Sequence, residues 1–233
     1  GVDSLINKKS EISTGKVLYY NAPDSLSYGN SFRQLEINQG IFLHKRGFTG
    51  EGITIAVLDA GFYNVDIYNG FSHLWAKNKI INSVNFAQDN IDIFRGSNHG
   101  LSVLSLLAAI VNDSLIGSAP DASYLLLRTE IENSEYPYEE ENWISAVEYA
   151  DSVGADIISS SLGYSTFDDS SFNYSPAKMN GNYTRISKAA SIAFSKGMLI
   201  VSSAGNMGEK LWKKVSSPAD CPEVLSVGSV NYS

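Results

Sequence analysis

Cysteine is almost absent from this chain: Cys221 stands alone among 233 residues, so no internal disulfide can form and the redox compartment stays unread. Long apolar runs are missing too. No stretch of about 18 apolar residues offers a membrane-spanning helix, and no charged, apolar, small-residue leader opens the sequence. A processed chain would have lost such a leader, and Gly1 is read as a cleavage remnant. Positive charge is the minority sign, with 17 Lys and Arg against 25 Asp and Glu and a net charge of -8. Without a concentrated basic patch, neither nucleic acid nor an anionic membrane surface is expected as a partner. There is no internal repeat and no low-complexity segment. No glycine fingerprint follows the first predicted strand, which argues against a nucleotide-binding domain.

What is present is a set of apolar runs separated by turn signals. Hydrophobic residues make up 43% of the chain, enough for one sizeable core. Residues 1–34 are polar and read as an arm or linker, and 35–233 as the domain. A short helix is expected over Leu35 to Arg46, capped by Gly47. The run ITIAVLDAG from Ile53 to Gly61 has the continuous apolar character of an interior parallel strand ending on Asp59. Further strands are expected at Lys79 to Phe86, Ala122 to Arg128, Asp156 to Leu162, Met198 to Ser203 and Val224 to Val230. Leu101 to Val111 is apolar on nearly every face and predicts a helix buried in the domain centre. Two more helices are expected, one carrying Trp143, Ala146, Val147, Ala150 and Val153 at helical spacing, and one over Thr184 to Lys196. This alternation specifies an α/β fold, doubly wound, with a mainly parallel sheet and helices on both faces.

A carboxylate at the end of a buried strand costs free energy unless it is paired. His99, in SNHG just before the buried helix, is its candidate partner; a carboxylate there would fix the imidazole tautomer and stabilise the imidazolium. The stretch SSAGN at 202–206 is a second strand running into a tight turn, and the Asn206 amide can either donate to a developing oxyanion or simply complete the turn. Taken together, IAVLD, NHG before an apolar helix, and SAGN after a strand resemble the subtilisin-like serine proteases, the subtilases. GFTGEG, GSAPDA, DIISSSLG, SSPAD and VLSVGSV extend the resemblance through nearly the whole chain from about Tyr28. Within that family it points to secreted members of Bacteroidetes-type bacteria.

The resemblance implies that Asp59 is the triad aspartate, His99 the general base and Asn206 the oxyanion donor. It makes Ser161, Leu162 and Gly163 the edge that pairs with a polypeptide substrate. Three departures stand out. Ala60 replaces the usual Ser or Thr after the aspartate, and the helix block reads HGLSVLS, with Leu101, Ser102 and Ser105 at altered positions. The nucleophile motif, Gly-Thr-Ser before a small apolar run, does not occur before the sequence ends at Ser233. The expectation is a serine endopeptidase whose serine is supplied by a C-terminal remainder of the same precursor, with residues 1–233 alone inactive and exposing apolar surface. The alternative is a catalytically dead binding module of the same fold. No cofactor is required for the chemistry; structural calcium is compatible with the family, and Asp66, Asp168, Asp169 and Asn180 offer hard oxygens without the spacing that would assign a site. The acidic stretch Glu132 to Glu141 is read as a solvated loop and helix start, with a specificity-rim role as the alternative, and Trp143 and Trp212 as core or surface packing. A secreted, cell-surface or periplasmic location follows from the resemblance.

Overall fold

The computed structural model describes residues 26–87, 90–210 and 212–230; residues 1–25 of the expected arm lie outside that set. In chain order the elements are α1 (Phe32–Glu36), α2 (Gly40–Lys45), β1 (Thr54–Asp59), α3 (Ser72–Ala76), β2 (Ile80–Asn85), α4 (His99–Ala108), β3 (Ile110–Val111), β4 (Leu115–Ile116), β5 (Ser123–Arg128), α5 (Pro137–Val153), β6 (Ile157–Ser160), α6 (Arg185–Ser195), β7 (Leu199–Ser203) and β8 (Leu225–Val227). Strands β3 and β4 form a small antiparallel hairpin. The other six make one sheet in the order β2-β5-β1-β6-β7-β8, with every neighbouring pair parallel. From β1 the chain first builds leftward to β2 and β5, then returns across β1 to build β6, β7 and β8. The sheet's switch point therefore lies beside β1, at whose carboxyl end a doubly wound fold places its ligands.

Strand β1 is central because both of its faces find apolar partners. Ala56 and Leu58 pack with Leu125, Leu127, Ile158, Ile200 and the α5 and α6 residues Trp143, Ala146, Ala150, Ile186 and Ala190. Ile55 and Val57 face the opposite layer, with Leu126, Leu74 of α3 and Leu104 and Ala108 of α4. Trp143, read from the sequence as core or surface packing, is fully buried and donates from Nε1 to Ser160 Oγ at 3.0 Å. Helix α6 opens on Thr184, whose hydroxyl accepts the Ser187 N–H, and α5 ends on Gly154 in the left-handed region.

Three expectations are corrected. The single helix over Leu35 to Arg46 is two, because Gln39 adopts φ +60° and breaks the ladder between α1 and α2; helical turns already begin at Gly29. Helix α4 is buried along one face only: Leu104 and Ala108 are covered, whereas Leu106 is 52% exposed. The acidic stretch is not uniformly solvated. Glu139 and Glu140 are buried, because Glu139 accepts the Ile131 and Tyr136 N–H groups at 2.8 Å each and Glu140 accepts the Tyr174 hydroxyl at 2.7 Å.

Beyond α4 the sheet changes character. On β6 and β7, Ile158, Ser160, Ile200 and Ser202 are buried under α5 and α6, whereas their alternates Ile157, Ser159, Val201 and Ser203 are half-buried. Register continues that second row onto β8, where Leu225 and Val227 are about half exposed at 54% and 50%. Among the described residues no helix covers this face.

Candidate active site

Asp59 ends β1 with no exposed surface, and the first residue of α4 turns onto it. His99 Nδ1 lies 2.8 Å from Asp59 Oδ1 and 2.9 Å from Oδ2, so the carboxylate holds the ring by its Nδ1 side and leaves Nε2 for chemistry. Asp59 Oδ1 also accepts the Ala60 N–H at 2.7 Å. The approach depends on Gly100: a Cβ there would stand 2.3 Å from the Gly61 carbonyl oxygen and 3.0 Å from Asp59 Cβ. A larger residue would push the start of α4 away from β1. The His99 ring is roughly half exposed, at 54%, and its pKa is raised by the hydrogen bond to Asp59, with burial pulling the other way.

The register aligns the second half of the site. Leu58 pairs with Ser160, Ser160 with Ser202 and Ser202 with Ser226, so β1, β6, β7 and β8 end at one edge of the sheet. Parallel strands lie about 4.8 Å apart, which puts the ends of β1 and β7 about 10 Å from one another. Past those ends, Ser161, Leu162, Gly163 and Asn206 line a cleft of about 450 Å³ together with Ser203 and Ser216. Residues 161–163 run between the end of β6 and an antiparallel bridge from Tyr164 to Ser217, outside any ladder. A Cβ on Gly163 would come within 2.9 Å of Ser216 Cβ, so the bare backbone of this stretch is what lets the two walls close. Asp59 and His99 are outside the lining of this cleft, one strand spacing away.

Two acids that the sequence offered in other settings, Glu135 in the acidic stretch and Asp168 as a hard oxygen, are brought together here. Glu135 and Asp168 also line the cleft, side by side, with the Asp168 N–H bonded to the Glu135 carbonyl at 3.0 Å. Burial, then the charges of Glu139, Asp168 and Glu140, raise Glu135 to about 7. Glu130, Glu135 and Glu139 bring one carboxylate oxygen each within 4.8 Å of one another, the obvious place to test for the calcium the family resemblance implies. Both Glu139 oxygens are already committed to backbone N–H groups, and Glu130 Oε1 accepts Thr129 and Tyr164. Calcium takes about six to eight oxygens, and this set does not fit it. Asp66 is held by Arg95 at 2.6 and 2.8 Å, and Asp169 caps the Ser171 N–H.

A buried acid that orients a histidine at the switch point of a parallel sheet, beside a backbone edge and a side-chain amide, is an arrangement suited to acyl-transfer hydrolysis. The model of the Subtilase family, peptidase S8, matches residues 50–233, and the chain belongs to that family. It is 34% identical to the "Major intracellular serine protease" of Bacillus subtilis over 199 residues, 80% of this chain and 53% of that protein. It is 28% identical to Subtilisin E of Bacillus subtilis, over 82% of this chain and 44% of that protein. The chain thus spans about half the length of these curated relatives. Among solved structures, MycP1 with its N-terminal propeptide removed is similar in fold, with TM-score 0.58 and 22% identity over 86% of this chain and 62% of that one. The prenylagaramide maturation protease PagA gives TM-score 0.56 and 22% identity, over 87% and 59%.

Proposed function

We propose that this chain carries the acid, the base and the oxyanion donor of a secreted serine endopeptidase, and that its nucleophilic serine lies on a segment outside these 233 residues. The observation that carries the reading is the Asp59–His99 contact, set beside a sheet face that no described helix covers. In the reaction, His99 Nε2 takes the serine proton as the hydroxyl attacks the peptide carbonyl, and Asp59 stabilises the imidazolium so formed. Asn206 donates to the oxyanion, and the backbone of Ser161–Gly163 holds the substrate extended beside it. The imidazolium then returns its proton to the leaving amine, and water repeats the sequence to release the acid. An extracellular location is proposed from the resemblance to secreted members; the relatives' names alone include both an intracellular protease and the "Minor extracellular protease Vpr".

Fluorophosphonate labelling tests this directly. The intact protein is expected to label on a serine beyond residue 233 and to lose labelling in His99→Ala, while pure residues 1–233 neither label nor cleave peptides. Loss of the serine costs such an enzyme about 10⁶-fold in turnover. Inhibitor-sensitive hydrolysis by residues 1–233, or an intact protein that never labels, would overturn the reading.

A further inference from the structure

The two halves of the site are joined below the cleft by a buried chain of hydrogen bonds whose midpoint is a carboxyl group. On one side, the Thr129 N–H donates to the Asp59 carbonyl at 3.0 Å, and the Thr129 hydroxyl donates to Glu130 Oε1 at 2.8 Å. On the other, the Tyr164 hydroxyl donates to the same oxygen at 2.5 Å, and the Tyr164 backbone exchanges bonds of 2.8 and 3.1 Å with Ser217. Tyr164 directly follows Gly163. Both Glu130 and Tyr164 are buried, at 8% and 1% exposure, and neither touches the reacting atoms. Burying a carboxyl group is costly, so its retention at the meeting point of three segments calls for a task.

We infer that Glu130 is a positioning residue: through Tyr164 it holds the substrate-pairing stretch Ser161–Gly163 at a set distance from the Asp59–His99 pair. This rests on the peptidase reading above. The strands do not set that distance, because β6 ends at Ser160 and the next fixed point is the Tyr164–Ser217 bridge. The Glu130 contact to Tyr164 is the side-chain tie that orients the far end of the stretch. Burial lifts Glu130 to about 8, against the opposing pull of the Tyr164 hydrogen bond, so near neutral pH a neutral acceptor at this position suffices. Glutamine is its isosteric replacement.

The test uses the intact protein and two readouts: hydrolysis of a peptide long enough to pair with residues 161–163, and the rate of labelling by a small fluorophosphonate, which needs the triad but no backbone pairing. Tyr164→Phe and Glu130→Ala are expected to lower kcat/KM on the long peptide about tenfold, the worth of one buried hydrogen bond to an acidic group. Labelling should change by less than about twofold, and Glu130→Gln should keep both activities. A purely structural role would make labelling and hydrolysis fall together, and that outcome would overturn the inference. So would unchanged peptide hydrolysis in both Tyr164→Phe and Glu130→Ala. A wild-type protein that labels yet shows neither effect in its variants defeats the positioning role alone, whereas a wild-type protein that neither labels nor cleaves defeats the peptidase reading and this inference with it.

Discussion

His99 is tied through Nδ1 to a carboxylate with no exposed surface, and that contact decides how the site responds to pH. The bond to Asp59 raises the histidine pKa above its usual 6.5, and only the neutral ring can accept a proton from a nucleophile. The acidic limb of kcat/KM in the intact protein is therefore expected above pH 6.5. In Asp59→Asn that limb should shift downward while the rate falls about 10⁴-fold, as the ring loses both its tautomer and its counter-charge. A pH profile of each form checks both. The buried acids make a second statement about pH. Glu130 is raised to about 8, Glu140 to about 7, and Glu139 is raised as well, each chiefly by burial. Their folded values exceed the unfolded 4.5, so between about pH 4.5 and 8 the folded state holds protons that the unfolded chain releases. Stability falls as pH rises through that window. The His99 contribution has the same sign, being full below 6.5 and lost as pH passes its raised value. Asp66 and Asp121, lowered in the folded state, act oppositely and are lost only as pH falls below about 4. Thermal stability should thus peak at about pH 5, and Glu130→Gln should raise Tm at pH 8 but not at pH 4.

At the scale of elements, the approach of α4 to β1 is the fit on which the Asp59–His99 contact depends. Gly100→Ala would place a methyl group against the Gly61 carbonyl at a distance no carbon tolerates. The expected cost is about 2 kcal/mol, roughly 5 °C in Tm, together with loss of fluorophosphonate labelling as His99 swings off Asp59. Calorimetry and labelling on the same variant separate the two effects. Elements of this kind were largely legible in the sequence. Strands β1 and β5 are buried on both faces, and such strands write themselves as continuous apolar runs, here TIAVLD and SYLLLR. The contact between Asp59 and His99 could be anticipated because each sits where a strand or a helix begins or ends. Other features left no local mark. A glutamine at φ +60° has no signature, so the break between α1 and α2 was hidden. Charged residues default to solvent, so the burial of Glu139 and Glu140 could not be seen without their partners Ile131, Tyr136 and Tyr174. Glu130 and Tyr164 meet across 34 positions of chain, and nothing in either neighbourhood announces the other.

For the whole molecule, the two faces of the sheet are unequally clothed. Helices α5 and α6 cover one face from β5 to β7, while the cluster built on α3 and α4 on the other face reaches no further than Ile157 at the start of β6. Leu225 and Val227 of β8 are left about half exposed beyond that limit, and Leu106 on α4 is about half exposed as well. Exposed apolar area of this kind binds hydrophobic dyes and promotes association. Pure residues 1–233 are expected to enhance ANS fluorescence and to self-associate with rising concentration, and the intact protein to do neither. Equal dye binding by the two would mean that the remainder leaves this face bare.

The sheet order carries one more consequence, for how the molecule is made. Strand β1 is synthesised first, yet its neighbours β5 and β6 are completed only at Arg128 and Ser160. Until then a nascent chain presents ITIAVL as an unpaired, strongly apolar segment with both hydrogen-bonding edges free. Helix α4 emerges before either neighbour is finished, so Asp59 waits on the ribosome for its flanking strands rather than for His99. Chains arrested short of Ser160 should be cleaved readily within β1 and captured by chaperones, and those arrested beyond it should resist.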